Sequence, residues 1–545
     1  MASLMSDVDN SEGPERAVFR LKNSECSVEE VMQLMTTYRF NETVQLNCCQ
    51  YLSGLEPDDI KQVTQKHIQR RNEFVKAGAA SRIIEAVINH ESSASVLSYG
   101  LLCIWHLART DESRSEFLDL ECIDLVMKAM DEHKESEEVQ ERACVALWNL
   151  FLNDVEVKEK YMSLGISDRI LNSMRWYVNN SEIQDSGARL IGLLCIKSST
   201  NRAALLTDEI CQKLLQNLDD YADVASVIDS SIYSIGKLSF SNEGQEFFSK
   251  VNAITKILHA MDRNIHNRGI QIYGCEAIWM LILNHDRNKH KLVQLRGHET
   301  ILRSMDIHIE SAELQKKACG GMASLCNILP FSDRLELLES GVLERILFAM
   351  DRYPNFDLLQ DNGCSAISSL TFPSREAVDL IWRLEAPERV LRALENHPHS
   401  ISLQISGCDA LKRLSGNTTR AVQILRRGGG KAMMAAMENH ANNGFVLLKA
   451  SQAIIVLCSH PEGLFTLFRL GAASFIAGVI DQPVNQRGLL QNYCQLMCLF
   501  ARKDSLRLSL LNLDVERKMV KIAESNDGIT GIYAARVVEY LNATE

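Results

Sequence analysis

Proline occurs only 9 times in 545 residues, and aromatic side chains make up 6%. Proline breaks helices and aromatics favour strands, so their scarcity beside abundant Leu, Ala, Met and Glu predicts an all-α chain. No apolar run reaches the roughly 18–20 residues a membrane span requires. The opening Met1-Ala-Ser-Leu-Met-Ser-Asp has neither the basic start nor the apolar stretch of a secretory signal. Ala2 stands where myristoylation needs glycine, and the final Asn-Ala-Thr-Glu has no prenylatable cysteine. Membrane insertion and the common lipid anchors are therefore not expected. Positive charge is also short: 58 Lys and Arg face 70 Asp and Glu, a net of −12. Without a domain-wide basic surface to neutralise phosphates, nucleic acid is not an expected partner. The 16 cysteines, in a long chain with no signal, are expected to stay reduced, which places the protein in the cytoplasm, with the nucleus as the alternative.

The 46% apolar and 23% charged residues are those of an ordinary soluble protein, and they are distributed with a period. The segment at 139–150, VQERACVALWNL, returns at 44–55 (VQLNCCQYLSGL), 270–281 (IQIYGCEAIWML) and 314–325 (LQKKACGGMASL). It returns again at 359–370 (LQDNGCSAISSL) and 403–414 (LQISGCDALKRL), with weaker copies between and beyond. The closing positions are 55, 107, 150, 194, 238, 281, 325, 370, 414, 457, 500 and 541, spaced 41 to 45 residues apart except for a first gap of 52. Twelve units of this length, each too small to bury its own apolar faces, predict a stacked solenoid.

Each unit carries internal landmarks. A Gly stands 29 residues before the close at Gly78, Gly165, Gly341, Gly428 and Gly471, with Asn252 and Asn512 in the same column. Both residue types tolerate the left-handed backbone of a tight helix–helix corner. Helix ends such as those at His90, His133, His397 and His440 come about 17 residues before the close, where a histidine suits the carboxyl end of the helix dipole. A Gln column (Gln45, Gln140, Gln184, Gln271, Gln315, Gln360, Gln404) is expected to satisfy exposed backbone amides at the start of the third helix. A Cys column (Cys49, Cys144, Cys275, Cys319, Cys364, Cys408, Cys494), preceded by Gly or Ala, is expected to let third helices pack closely. Zinc is not expected there, because Zn–S bonds of about 2.3 Å cannot be closed by cysteines on helices about 10 Å apart.

This pattern resembles the armadillo-repeat family along nearly the whole chain. The run "Ile-Leu-x-Ala-Met-x-x-His … Gln-x-x-Gly-Cys-x-Ala-Leu" is also similar to divergent armadillo arrays attached to some leucine-rich-repeat kinases and in many protist proteins. The resemblance implies a right-handed α-solenoid of about twelve three-helix repeats whose third helices line a concave groove. Residues 28–545 form it, after an unstructured segment at 1–27 and with a charged helical insertion near 57–72 holding Lys61, Lys66, His67, Arg70 and Arg71. Importin-α-like repeats hold extended peptides with Trp and Asn columns; here the Asn column reads His106, Asn149, Lys237 and Arg413 among others, and only Asn149 matches. The corresponding Trp column has no Trp, although Trp105, Trp148 and Trp279 recur two positions before the close. These, with Arg142, Arg189, Tyr233, Lys317 and Asp409, are the expected partner-reading surface.

Catalytic patterns are missing. The cluster Arg420, Arg426, Arg427, Gly428, Gly429, Gly430 and Lys431 ends Gly-Lys-Ala, without the Ser or Thr of a phosphate-binding loop, and lies at a helix–helix corner. No nucleophile elbow, zincin motif or kinase signature is present. The expectation is a non-catalytic scaffold or adaptor for other proteins with no cofactor and no metal; a nuclear-transport adaptor and a structural part of cilium or cytoskeleton are the alternatives.

Overall fold

The computed structural model describes residues 13–23, 26–54, 64–327, 330–371, 374–481, 488–525 and 528–543. Among them are thirty-six helices and no strand, and the helices fall in order into twelve triplets. Asp111–Asp119, Cys122–Glu132 and Glu137–Leu150 form one such triplet. The chain divides into two compact units, Met1–Ala260 and Met261–Glu545, each built of stacked triplets. No single described helix is long and apolar enough to cross a membrane.

The corner between first and second helices is left-handed, as the Gly column predicts: φ is 79° at Gly78 and at Gly165, and 95° at Gly428. Asn252 takes φ 56°, but Asn512 is right-handed at −64° and Asp514 makes the turn two residues later. Three further corners use side chains that strain there: Glu121, Arg296 and Glu385, with φ from 52° to 55°.

The Gln column has a different function from the expected one. Gln140 Nε2 donates to the carbonyl oxygens of Met130 (2.8 Å) and His133 (3.1 Å), at the C-terminal end of the preceding second helix. Gln45, Gln184, Gln271, Gln315, Gln360 and Gln404 repeat this pair of bonds. The orphan groups being satisfied are thus carbonyls of one helix rather than amides of the next. Gln140 Oε1 also accepts from Ser173 in the following repeat (2.5 Å).

The helix-end histidines tether neighbouring repeats. His133 Nε2 donates to the carbonyl of Glu91 (2.7 Å), His397 to that of Pro354 (2.7 Å) and His440 to that of Pro398 (2.9 Å). Since a carbonyl can only accept, Nε2 carries the proton. Tyr177 and Tyr353 in the same column reach the carbonyls of Lys134 (2.7 Å) and Ile309 (2.8 Å) with their hydroxyls.

A cation in several first helices, buried at Arg114, Lys158 and Lys289 and half-buried at Arg334, caps the third helix of the same repeat. Arg114 Nε donates to Asn149 O (2.8 Å), Lys158 Nζ to Ile196 O (2.9 Å), Lys289 Nζ to Asn327 O (3.2 Å) and Arg334 Nη1 to Ser369 O (3.3 Å). A positive charge at a helix C-terminus also meets the negative end of its dipole.

All sixteen cysteines are buried and none is in a disulfide. The glycines before Cys275, Cys364 and Cys408 make room for a side chain of the second helix of their own repeat, not for a neighbouring third helix. A Cβ on Gly274 would lie 2.5 Å from Met261, and on Gly407 2.6 Å from Leu394.

Two expected boundaries change. Residues 14–22, placed by the sequence in an unstructured segment, form Pro14–Lys22, the first helix of the first triplet, with Ala17 and Leu21 buried and Pro14 at the helix start. Residues 1–12 lie outside the described residues. Of the insertion expected near 57–72, residues 57–63 lie outside them too, while Gln65–Lys76 is the first helix of the second triplet, with Arg70 bonded to Tyr51 and Arg71 buried.

Candidate functional site

Helices Ala94–Leu107, Glu137–Leu150 and Ser181–Leu194 are the third helices of successive repeats and pack side by side. Each begins with a side-chain cap: Ser93 on Val96 N, Ser136 on Val139 N and Asn180 on Ile183 N. Their apolar residues are buried, so the remaining face of each helix is presented outward.

On that face lies a pocket of about 660 Å³ lined by Trp105, Glu141, Arg142, Val145, Trp148, Glu182, Asp185, Ser186 and Arg189. Trp105 and Trp148 are half-buried, leaving part of each indole available. The Arg109 guanidinium stacks on the Trp105 ring at 4.8 Å and restrains it. Arg189 bridges Asp185 (2.9 Å) and Asp229 (3.0 Å). Burial pushes the pKa of both carboxyls up against the opposing effect of that guanidinium. Arg142 lies 3.6 Å from Glu141, which also accepts from Asn180 Nδ2 (3.1 Å).

Four of the residues selected from sequence, Trp105, Arg142, Trp148 and Arg189, therefore meet in one pocket. Two that were expected to face outward do not. Asn149 is 6% exposed and donates from Nδ2 to the Trp105 carbonyl (2.6 Å), joining consecutive third helices. His106 is 1% exposed, and burial, joined by the charges of Arg109, Arg142 and Arg71, lowers its pKa to about 3.

The other expected residues are dispersed. In the first unit, Lys237 Nζ sits 5.0 Å over the Tyr233 ring, which occupies the space a Cβ on Gly192 would fill. In the second unit, Trp279 is half-buried and donates to Ser324 Oγ (2.8 Å). Lys317 pairs with Glu276 (3.0 Å), and Asp409 accepts from Ser368, Arg413 and Lys449 (2.7, 3.1 and 2.6 Å). Burial raises the Asp409 pKa, but these three donors outweigh it and hold the carboxyl at about 2.

Sequence reasoning missed Glu141, Val145, Glu182, Asp185 and Ser186. Their signal was available: Glu141 and Asp185 both stand nine residues before a close, one turn from the face already chosen.

Burial pushes the thiols of Cys144, Cys195 and Cys275 up to about 12, and thiolates are the reactive form. Among the described residues no group of three or more His, Cys, Asp or Glu is placed to hold a metal ion. The three arginines of the Arg420–Lys431 segment are engaged in ion pairs: Arg420 with Asp379 (2.6 Å), Arg426 with Glu462 (3.1 Å) and Arg427 with Glu388 (2.5 Å).

Comparison with known proteins gives a consistent pattern. The sequence profile of the LRRK2 ARM repeat matches residues 16–154, 110–264 and 247–425. A structure from a study of the phosphorylation switch controlling the interaction between cadherin and beta-catenin has a TM-score of 0.60 at 14% identity, over 95% of this chain and 99% of that one. An engineered protein of known structure gives 0.63 at 14% identity, over 75% of this chain and 97% of that one. At such identities the likeness is one of fold, and the fold is the armadillo-type α-solenoid of twelve three-helix repeats.

Proposed function

We propose, for a chain that belongs to the LRRK2 ARM repeat family, that it is a non-catalytic interaction scaffold holding a segment of another protein across third helices 94–107, 137–150 and 181–194. The observation that carries this reading is the pocket in which Trp105 and Trp148 flank Arg142 and Arg189. Indole faces supply large apolar area with little rotamer freedom to lose, and a few such anchors dominate most interfaces. The surrounding carboxylates and guanidinium groups select among partners by hydrogen bonding and charge. The cytoplasm suits such a scaffold, with the nucleus as the alternative, and sixteen buried cysteines held as thiols support a reducing compartment.

The test is affinity capture from cell extract with the full chain beside Trp105→Ala and Trp148→Ala, each checked for unchanged helical circular dichroism, with identification by mass spectrometry. A partner held by the parent chain and lost by both variants supports the reading. Partners retained by both variants, or turnover of a substrate by the purified chain, overturn it.

A further inference from the structure

Third helices Asp357–Leu370, Ile401–Leu414 and Gly444–Leu457 also pack side by side, in the second unit, but their outward faces differ in character. Leu358 is 42% exposed, Ile401 47% and Phe445 61%, all within the first two residues of their helices. One turn further on, Ile405 and Leu448 are half-buried and continue the apolar face. In the first unit the positions matching Leu358 and Phe445, twelve before the close, carry Ser95, Glu138, Glu182 and Ser226. An apolar strip that crosses three helices is unlike scattered surface apolar residues and marks an interaction surface.

The strip's geometry selects the kind of partner. Packed helices lie about 10 Å apart, and seven residues of α-helix rise about 10.5 Å. A helix laid across the three would present side chains from one face at every step. An extended strand covers the same step in about three residues, and successive contacts would then fall on opposite faces.

Charge selects further. On the helices 401–414 and 444–457, Lys412, Arg413 and Lys449 surround a single carboxylate, Asp409, which accepts from two of them (Arg413, 3.1 Å; Lys449, 2.6 Å). Lys412 Nζ donates to the neutral Gln452 (3.0 Å). This end is locally positive in a chain of net charge −12, whereas the helix 357–370 carries Asp357 and Asp361. We propose that Leu358, Ile401, Ile405, Phe445 and Leu448 dock an amphipathic helix of another protein, apolar at seven-residue intervals and acidic on the flank that faces Lys449 and, further along the helix 401–414, Arg413 and Lys412. This surface is separate from the Trp105–Trp148 pocket and does not depend on it.

The probe is a fluorescein-labelled synthetic helix of about 20 residues, enough to span the strip. It carries Leu at i, i+7 and i+14 and Glu around the last Leu. One comparator spaces the same Leu residues at i, i+5 and i+10; a second replaces Glu with Lys. Anisotropy titration of the full chain should show the first peptide binding about tenfold or more tighter than either comparator. Phe445→Ser and Ile401→Ser should each weaken it by about tenfold, as loss of an apolar anchor does. Lys449→Glu, chosen because a charge change leaves the apolar strip intact, should reverse the preference between Glu and Lys peptides. Trp148→Ala should bind as the parent does. Equal binding of all three peptides, indifference to both serine variants, or no binding at about 1 mM overturns the proposal.

Discussion

Lys158 Nζ lies 2.9 Å from the carbonyl oxygen of Ile196, so a cation at 1% exposure in one helix terminates another that ends nearly forty residues later. A second carbonyl, that of Leu193, lies 3.5 Å away. The arrangement binds first and third helices of one repeat through a polar contact inside an otherwise apolar layer. Lys158→Met fills similar volume but leaves those carbonyls without their donor. It should cost about 1–3 kcal/mol in urea denaturation, whereas Lys158→Arg should recover most of the loss. Full stability in the Met variant would show that the cap contributes nothing.

Gln140 ends a second helix with two bonds and reaches Ser173 with a third. Gln140→Leu removes all three and leaves buried carbonyls unmatched, at a cost of about 2–3 kcal/mol. The loss should be local, so amide exchange should accelerate at residues 127–133 and 169–174 before the rest of the first unit. Uniform acceleration would contradict a capping role.

The strained corners offer a gain and a loss in the same column. Glu121 holds φ 54° without its side chain accepting a capping bond, while Gly165 holds 79° freely. Glu121→Gly should raise stability by about 0.5–1 kcal/mol and Gly165→Ala should lower it by about 1 kcal/mol. Thermal melts of the two variants should therefore move in opposite directions; a shared direction would refute the strain argument.

His106 sets an acid limit. Its folded pKa of about 3 lies below the ordinary 6.5, so between those values the unfolded chain binds a proton that the folded chain refuses. Its contribution is complete above about pH 6.5 and is lost as pH falls towards about 3. The fall in melting temperature between about pH 7 and about pH 4.5 should be shallower for His106→Gln than for the parent. Parallel profiles would remove His106 as the cause.

The repeat count and the left-handed corners were legible because both depend on local sequence: apolar spacing sets the helices and Gly permits the turn. Asp514 was not legible, because an ordinary residue was forced into the turn by its surroundings. The cation column was hidden for a different reason. Arg114, Lys158, Lys289 and Arg334 stand thirty-six residues before their closes, yet a lone charge on a short helix reads as surface until the helix end above it is seen. At the site, Trp105, Trp148, Arg142 and Arg189 were recognisable as large or charged residues on an outward face. Asn149 was misplaced because its amide finds a carbonyl on the adjacent helix, a contact made to the preceding repeat and not within its own periodicity. Pro14–Lys22 was missed because its few apolar residues acquire a partner only once the first triplet has assembled.

The tethers from His133, Tyr177 and His397 each reach back by only one repeat, and either an imidazole or a phenol can make them. Either side chain offers one donor to the same kind of carbonyl acceptor, so the joint is made whichever of the two stands there. Under mechanical load, the layers within either unit would then part singly, each release leaving its remaining neighbours fastened.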